Sequence, residues 1–361
     1  MLSTARIILQ RGEKSMLKKS LSILLLFVFA AVSCLNFAAC FTLPEKFSYT
    51  FTGVFDTAVT VMAYSANQKK FDEICASVQE SMEHYHRLFD IYNDYEGINN
   101  LKTVNANAGG GEITVDAEII ELVEFGKDMY DISGGKLNIM MGAVLKIWHE
   151  CAEKAQKEPE RAQLPDENEL KEAYAHCDID SLIIDDDAYM LFISDPLASV
   201  DVGAIAKGFA LQKTAELLKN RDYNNILINA GGNIVSVGAK ADGKKWNVAV
   251  QSPDDPDGYI GSQLLLDSAL ATSGDYQRFY TVNGKKYHHI IDNDTLFPAE
   301  NMRSVTVLSP RADYADAFST IVFLMDAGEA AEFIENTEYT EALIMKADGE
   351  IISSSGWEKD S

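Results

Sequence analysis

The chain has 361 residues, of which 47% are hydrophobic and 24% charged, and its formal net charge at pH 7 is -24. This length and apolar content allow a sizeable core in one large or two ordinary domains and exclude a disordered polymer. A sequence pI near 4.6 argues against a nucleic-acid partner, because binding to a phosphate backbone depends on many Lys and Arg contacts. The five cysteines show neither a CxxC pair nor dense spacing, so we expect no zinc site and no disulfide framework.

The N-terminus has the layout of a secretory signal, with a basic region, a short uncharged apolar run and small residues before Cys34 and again before Cys40. The run is shorter than the roughly 20 apolar residues of a membrane span. A cysteine after small residues resembles the bacterial lipoprotein signal, in which that cysteine is lipidated. Cys40 is slightly favoured over Cys34, and Met16 is a possible true start; an uncleaved anchor or plain secretion is the alternative. We expect residues 1–40 to be a signal, and 41–361 to be an extracytoplasmic domain anchored by lipid to a bacterial membrane.

Along the rest of the chain, periodicity predicts helices and strands in separate runs. Residues 51–64 alternate β-branched and aromatic side chains and are predicted to be extended, whereas 158–172 is a solvated excursion or a short exposed helix. Apolar spacings of three and four predict helices at 69–89, 117–130, 141–155, 205–220 and 314–325. Short strands are predicted at 181–184, 190–193, 226–228, 234–237, 246–250, 264–266, 279–282, 286–291, 305–308, 342–345 and 351–354. Strands in runs with a few helices favour an α+β fold, a single domain with a largely antiparallel sheet and flanking helices.

The most informative segment is residues 201–208, Asp-Val-Gly-Ala-Ile-Ala-Lys-Gly, between an extended stretch and a predicted helix. Its small residues allow close approach to the backbone, and a helix N-terminus presents unpaired N–H groups and a positive dipole end. Lys207 would add a positive charge in the first turn, where the dipole disfavours it unless an anion offsets it. The segment therefore predicts an anion-binding turn; the alternative is a tightly packed turn with a solvated lysine.

Two further segments carry weaker signals. The paired glycines of residues 229–233 predict a turn between two strands or a close backbone approach to a ligand. Residues 271–275, Ala-Thr-Ser-Gly-Asp, are an ordinary loop before a strand or a source of hydroxyl contacts to a ligand, and spacing does not decide between these.

Asp316 and Thr320 lie four apart on a predicted helix and so face the same way. A carboxylate and a hydroxyl are hard oxygen ligands of the kind that Mg²⁺ takes beside substrate phosphates, although a helix-capping Asp and an unrelated Thr are the alternative. Upstream, His288 and His289 place one imidazole on each face of a predicted strand, so that one can point into a site while the other is solvated.

In this order, the segments resemble the ApbE family of FAD:protein FMN transferases over essentially all of residues 41–361. Each segment alone is weak, but their common order is specific. The segments that carry the resemblance are 53–57, 133–135 with Trp148, 201–208, 229–232, 271–275, 289–292 with Pro298, and 315–320.

The resemblance implies a Mg²⁺-dependent α+β catalytic domain that binds FAD and cleaves its pyrophosphate. FMN would pass to a Thr or Ser hydroxyl of an acceptor flavoprotein through a phosphoester bond, with release of AMP. The implied acceptors are redox-pump subunits or extracellular flavoproteins that carry a Ser/Thr-Gly-Ala-Ser/Thr motif.

The resemblance also implies roles for particular residues. Those implied for the metal are the Ala204 carbonyl, the side chains of Asp316 and Thr320, and the Ser319 carbonyl. His289 would be the general base, with Asp316 the second catalytic residue. The residues implied to line the FAD site are Phe55, Tyr92, Lys136, Leu137, Asn138, Asp201, Lys207 and Ile290.

The sequence departs from the family pattern at three places. Phe55-Asp56-Thr57 stands where relatives often have Met-Gly-Thr, and Leu137-Asn138-Ile139-Met140 stands where they commonly have Phe-Asp-Pro-Thr. Residues 292–296, Asp-Asn-Asp-Thr-Leu, replace a loop with Asp-Pro and Thr-Gly. Two other functions stay open from the sequence: hydrolysis of FAD to FMN and AMP, and flavin binding by a surface lipoprotein without catalysis.

Overall fold

The structure is a computed structural model that describes residues 44–357; the signal predicted at 1–40 lies outside the described residues. The strands are β1 (Glu45–Val54), β2 (Thr57–Ser65), β3 (Ile113–Thr114), β4 (Leu182–Asp185), β5 (Met190–Ile193), β6 (Ile226–Ala230), β7 (Asn233–Val237), β8 (Trp246–Gln251), β9 (Tyr259–Leu265), β10 (Ala269–Gly274), β11 (Phe279–Val282), β12 (Lys285–His288), β13 (Met302–Ser309), β14 (Glu341–Lys346) and β15 (Ile351–Ser353). The helices are α1 (Gln68–Phe89), α2 (Leu101–Ala106), α3 (Ala117–Ile132), α4 (Gly142–Lys157), α5 (Glu167–Tyr174), α6 (Ala206–Asn220), α7 (Ala312–Phe323) and α8 (Ala327–Glu335). Two 3₁₀ turns span Pro159–Arg161 and Ile179–Ser181.

The frame of the fold is an eight-stranded sheet in the order β1-β2-β6-β7-β10-β13-β14-β15, and all of its neighbouring strands pair antiparallel. Smaller antiparallel sheets are formed by β8 with β9, by β11 with β12, and by β3, β5 and β4. The prediction of an α+β fold with a largely antiparallel sheet and flanking helices is confirmed.

Each face of the large sheet buries its own set of side chains, as the period of two requires. In β2, Val59 and Val61 lie in a core shared with α1 and α6, whereas Met62 and Tyr64 pack on a second core built around Trp246 of β8. Helices therefore cover one face, and the β8–β9 hairpin covers part of the other. A third core joins α3 and α7 to the central strands and lies under the site described below.

Signals at the helix starts agree with where the helices begin. The Asn67 side chain caps α1 by accepting a hydrogen bond from Lys70 N at 3.0 Å, and Ile74 and Val78 of that helix are buried at the predicted spacing. A reciprocal capping box at Asp326 starts α8. No helix within residues 44–357 is both long enough and apolar enough to cross a bilayer.

Several local predictions differ from the structure. The extended stretch at 51–64 is a hairpin, β1–β2, and the possible loop at 271–275 lies mostly in β10, a central strand. The strand predicted at 286–291 ends at His288. Helices α2 and α8 were not predicted, because α2 is only six residues long and α8 follows α7 after a short break that the apolar pattern does not mark.

Candidate active site

Helices α6 and α7 pack so closely that a glycine is needed between them. Gly208, in the first turn of α6, donates its backbone N–H to Asp316 Oδ2 of α7 at 2.7 Å. A Cβ on Gly208 would lie 2.3 Å from Asp316 Cβ and 2.6 Å from the Ala312 carbonyl oxygen. The anion expected at this helix N-terminus is thus, at Gly208, a carboxylate of the chain itself.

Lys207 lies beside the same carboxylate, with its Nζ 3.7 Å from Asp316 Oδ1. The two side chains are 21% and 7% exposed, so the pair is largely enclosed. The lysine is therefore not solvated, whereas the tight packing that the same alternative expected is present at Gly208. The pairing holds a cation and a carboxylate at one edge of the α6–α7 contact.

Hydroxyl groups extend the polar contact along α7. Ser319 Oγ donates to the Asp316 carbonyl oxygen at 2.8 Å. Ser273 of β10 forms hydrogen bonds with Ser319 Oγ at 2.8 Å and with Thr320 Oγ1 at 3.1 Å. Thus β10 supplies a hydroxyl to the Asp316–Thr320 face, and a contact of the 271–275 hydroxyls with a ligand stays a prediction.

The Ala204 carbonyl is left free by the same arrangement. If α6 began two residues earlier, Gly208 N would donate to the Ala204 carbonyl oxygen, four residues before it. Gly208 N instead donates to Asp316. Among the described residues, the Ala204 carbonyl oxygen accepts no hydrogen bond. An oxygen in that state can take a cation as its partner.

These donors fit a magnesium ion. Asp316, Thr320 and the carbonyls of Ala204 and Ser319 offer only oxygen, which Mg²⁺ prefers, and one carboxylate leaves coordination positions for water and substrate phosphate. Within residues 44–357, no group of three or more His, Cys, Asp or Glu side chains is arranged to hold a metal.

The segment before α6 is held in place by contacts from distant parts of the chain. Asp201 N donates to the Ile139 carbonyl at 2.7 Å. Asn105 of α2 bonds both backbone groups of Val200, at 2.9 Å to its carbonyl and 2.8 Å from its N–H. The segment that leads into α6 is therefore held by α2 and by the chain at Ile139.

His289 follows β12 and is exposed to solvent at the site. Its Nδ1 lies 3.2 Å from the Arg278 carbonyl oxygen. A carbonyl oxygen only accepts, so Nδ1 of the neutral ring carries the hydrogen and Nε2 keeps a free lone pair. Desolvation by surrounding protein atoms, together with the cations Arg278 and Lys207, lowers the pKa of His289 below its ordinary value, which keeps the exposed ring neutral at pH 7.

His288 has the opposite environment. The ring is 8% exposed and packs edge-on against Phe323 of α7. Its Nε2 lies 2.8 Å from the Ala299 carbonyl oxygen and its Nδ1 accepts from Ile290 N at 3.3 Å. That His289 faces a site stays a prediction. The expectation that the other histidine is solvated is wrong, because His288 is buried in the core.

The β1–β2 turn brings Phe55 to the site in a strained conformation. Phe55 and Asp56 have φ values of 49° and 50°, the left-handed region that side chains rarely adopt. Phe55 N donates to His86 Nδ1 at 3.3 Å, and its ring packs edge-on against His86. The neighbouring β6–β7 turn supports this one, since a Cβ on Gly231 would lie 2.1 Å from Thr57 Oγ1.

Tyr92 and Asp201 lie together on another side. The Tyr92 ring is 54% exposed and stacks on His149 with ring centroids 5.3 Å apart. Desolvation and the carboxylates of Asp201 and Asp56 raise the pKa of Tyr92 to about 12, so its hydroxyl remains a donor at neutral pH. Burial raises the pKa of Asp201, while the hydrogen bond from Gly203 N opposes this shift.

Of the predicted residues 136–138, Lys136 and Asn138 line a separate cavity of about 380 Å³. Lys136 forms an ion pair with Glu329 at 3.5 Å. The Asn138 side chain donates from Nδ2 to the Cys177 carbonyl oxygen at 2.8 Å and accepts at Oδ1 from Met140 N at 2.8 Å. Asn293 closes one wall by donating to the Gly135 carbonyl at 2.6 Å. The other residues that line the cavity are Tyr130, Gly134, Tyr174, Ala175, Cys177, Asp178, Asp292, Asp294 and Leu324.

Leu137 and Ile290 lie below the site rather than in it. They are 3% and 7% exposed and belong to the core shared by α3 and α7. Their side chains are packed among apolar groups, so any contact that they make with a ligand is through the backbone. The remaining predicted residues divide between the Asp316–His289 region and the cavity at 136–138.

The comparisons with known proteins decide the family. A model of the ApbE family matches residues 55–344, which is most of the chain. The chain belongs to the ApbE family. An FAD:protein FMN transferase of Treponema pallidum (strain Nichols) is 31% identical over 274 residues, which are 71% of this chain and 73% of that protein. A protein of the same name from Haemophilus influenzae is 29% identical and covers 67% of this chain and 70% of its own length.

Solved ApbE structures share the fold. The ApbE protein of Thermotoga maritima superposes with a TM-score of 0.76 at 26% identity and covers 86% of this chain and 97% of its own. The flavin transferase ApbE of Vibrio cholerae gives a TM-score of 0.69 at 22% identity, with 87% of this chain and 99% of its own covered. The predicted family resemblance is confirmed.

Three residues at the site were not predicted individually. Arg278 contacts the Phe55–Asp56 turn, Ser273 bonds the α7 hydroxyls, and Asn293 tethers the 136–138 region. The sequence signal for Ser273 was its place in 271–275. Arg278 stands in no motif, and Asn293 lies where the chain departs from its relatives, so pattern alone gave neither a role.

Proposed function

We propose that this ApbE-family chain is a Mg²⁺-dependent FAD:protein FMN transferase that transfers FMN to a Thr or Ser hydroxyl of an acceptor flavoprotein and releases AMP. The observation that supports it most directly is the oxygen set around Asp316, with an unpaired Ala204 carbonyl, next to a neutral histidine with a free Nε2. The curated relatives named above carry the same transferase name.

The roles of the chain's own residues follow from charge. His289 Nε2 accepts the proton of the acceptor hydroxyl, whose oxygen forms a bond to the flavin-side phosphorus of FAD. The bond from that phosphorus to the bridging oxygen breaks, and AMP leaves with the electron pair. A bound Mg²⁺, held by Asp316, Thr320 and the carbonyls of Ala204 and Ser319, supplies stabilisation of the negative charge on the phosphoryl oxygens. Lys207 adds a second positive charge beside Asp316.

The FAD site extends from this centre in two directions. Phe55 and Tyr92 offer aromatic surface on one side, and Asp201 lies beside Tyr92. Lys136 and Asn138 offer polar groups at the cavity on the other side, above the buried Leu137 and Ile290. We also place the mature domain outside the cytoplasm on a lipid anchor at Cys40 or Cys34, a proposal that rests on the sequence of residues 1–40.

The deciding experiment is mass spectrometry of an acceptor domain with a Ser/Thr-Gly-Ala-Ser/Thr motif after incubation with the protein, FAD and Mg²⁺. We expect a mass gain equal to FMN on one hydroxyl. AMP and free FMN without any labelled acceptor would instead support FAD hydrolysis, a reaction that the solvent-exposed His289 also permits. Retention of intact FAD with no product would leave the flavin-binding lipoprotein as the function.

Asp316→Asn is the matched variant for this assay, because it keeps an oxygen to accept from Gly208 N but removes the negative charge. We expect transfer in Mg²⁺ to fall by roughly 10²–10³-fold while the thermal unfolding curve changes little. Asp254→Asn, an exposed aspartate outside the site that pairs with Arg303, is the control for loss of one charge. Full transfer by Asp316→Asn would remove Asp316 from the metal set.

A further inference from the structure

Arg278 lies at the centre of the predicted FAD site, although it was not among the predicted site residues. Its backbone carbonyl accepts from His289 N at 3.2 Å and lies 3.2 Å from His289 Nδ1. Its Nη2 donates to the carbonyl oxygens of Phe55 and Asp56, both at 3.4 Å. The guanidinium is also close enough to Tyr92 and His289 to act on the ionisation of both. One side chain therefore borders the proposed base and two proposed flavin contacts.

The guanidinium is poorly satisfied by the protein. An arginine has five N–H donors in a planar fork that matches phosphate oxygens, but the two contacts of Arg278 are long and share a single nitrogen. Within residues 44–357, no carboxylate forms an ion pair with it. The other two cations of the predicted site are already paired, Lys207 with Asp316 at 3.7 Å and Lys136 with Glu329 at 3.5 Å.

Arg278 has no ion pair within the described chain, although the protein has a net charge of -24. Among the same residues, some arginines such as Arg161 and Arg311 are paired, whereas Arg221 is not and donates to Ser77 Oγ at 2.8 Å. What distinguishes Arg278 is its place beside His289. A cation that stays unpaired beside the reaction centre has its charge available to an anionic ligand. FAD carries that charge on its pyrophosphate, and the flavin-side phosphate must lie next to His289 for transfer to occur.

We propose that Arg278 is a phosphate-binding residue of this site, which takes the oxygens of the flavin-side phosphate and exchanges its long contacts to the Phe55–Asp56 turn for charge-assisted hydrogen bonds. This inference rests on the proposed function for the identity of the ligand. It adds to that function a second phosphate contact, supplied by the segment between β10 and β11. Because the same guanidinium contacts the strained turn, ligand release returns it to the Phe55 and Asp56 carbonyls.

The test compares three flavins that share the isoalloxazine ring but differ in phosphate. The dissociation constants of FAD, FMN and riboflavin are measured in Mg²⁺ for the parent protein, Arg278→Gln and Arg278→Lys. We expect Arg278→Gln to weaken binding of FAD and FMN about 10- to 100-fold and to change riboflavin binding less than about twofold. Arg278→Lys keeps the charge but loses the fork, so we expect it to recover part of the affinity.

Lys285→Gln is the control, because it removes one positive charge from the neighbouring hairpin at a residue that pairs with Glu300 away from the site. It should leave all three constants unchanged. Equal losses for riboflavin and FMN in Arg278→Gln would mean that Arg278 only supports the turn, and unchanged constants would mean that it has no role; either result overturns the proposal.

Failure of this inference and failure of the proposed function are separable. If the parent protein binds the three flavins but transfers no FMN to any acceptor, the proposed function is overturned. The flavin comparison then still decides the role of Arg278. If the parent flavinylates an acceptor and the Arg278→Gln variant binds FMN normally, only the inference about Arg278 is overturned. A parent that binds no flavin overturns both.

Discussion

The two adjacent histidines, His288 and His289, differ in the exposure and hydrogen bonding of their rings, and only His289 has a ring nitrogen that can accept a proton from a ligand. His288 has both ring nitrogens bonded to the backbone and lies in the core, so it is fixed as a neutral structural group. His289, one residue later, has only Nδ1 in contact with a carbonyl and presents Nε2 to solvent. The difference arises because adjacent side chains of an extended backbone point to opposite sides, so that one ring enters the core and the next faces solvent.

The pH dependence of transfer tests this assignment. A histidine whose pKa is lowered stays neutral to lower pH, so activity should persist below pH 6.5 and fall only as pH drops through the lowered pKa. His289→Gln should reduce transfer by roughly 10²–10⁴-fold and abolish the acid limb of the profile. The measurement is the rate of acceptor labelling between pH 3 and 8, a range that includes the lowered pKa of about 4.

The control for this profile is His288→Gln, in which the side-chain amide can still reach the Ala299 carbonyl. It should lower the thermal stability but keep the acid limb where it is in the parent. An acid limb that stays in place in His289→Gln, with activity near that of the parent, would contradict a base role for His289.

The sequence predicted the site residues that belong to recognisable motif segments, and it did not predict the others. Asp316, Lys207 and His289 were predicted from segments that keep the family pattern, and the structure brings all three to one region. Arg278 was not singled out, because its partners Phe55 and Asp56 are more than 200 positions away in the chain. A lone arginine in a polar stretch has no periodicity that would indicate such a contact.

Among the elements, the α6–α7 contact is the one on which the site depends. The sequence predicted both helices to within two residues at each end, because their apolar spacing is regular. It did not predict that they touch through Gly208 and Asp316, since the contact joins residues 108 positions apart. The central position of β10 was missed for a related reason: its Thr-Ser-Gly composition favours a loop, but neighbouring strands and α7 satisfy its polar groups.

Gly208→Ala tests the closeness of this contact. The new methyl would meet Asp316 Cβ and the Ala312 carbonyl at distances that real atoms do not adopt, so α6 and α7 must separate. We expect a loss of about 1–3 kcal/mol in unfolding free energy and a large loss of metal-dependent transfer. Chemical denaturation and the acceptor-labelling assay measure the two effects.

Gly328→Ala in α8 provides the comparison, since the same methyl there meets only an Asp326 carboxylate oxygen at 3.3 Å. Alanine favours a helix over glycine by up to about 1 kcal/mol, so this variant should be neutral or slightly more stable. If Gly208→Ala behaved like Gly328→Ala, the close packing of α6 on α7 would be refuted.

The negative net charge of the whole molecule opposes the binding of an anionic ligand at the site. Residues 1–40 contain five basic residues and one acid, so cleavage after the signal would make the net charge more negative by four, from -24 to -28. Such a field repels an anionic dinucleotide at long range. Local cations must therefore outweigh it at contact distance, and Lys207 and Arg278 are the described cations placed to do so.

A change in ionic strength separates the long-range repulsion by the acidic surface from the attraction by the local cations, because salt screens distant charges more than near ones. The Debye length falls from about 30 Å at 0.01 M to about 8 Å at 0.15 M, which hides most of the surface carboxylates from a ligand in the site but not the cations that touch it. We therefore expect the association rate of FAD to rise, by about tenfold, over this range at constant Mg²⁺. Stopped-flow flavin fluorescence gives the rate.

Riboflavin is the matched ligand, since it has the same ring and no phosphate, and its association rate should not change with salt. A rate for FAD that falls as salt rises would mean that local cations dominate even at a distance of tens of ångströms. In that case the positive groups of the site would have to extend beyond Lys207 and Arg278, and the acidic surface would have to face away from the entrance. A rise for FAD alone instead assigns recognition to a few cations within a repulsive surface.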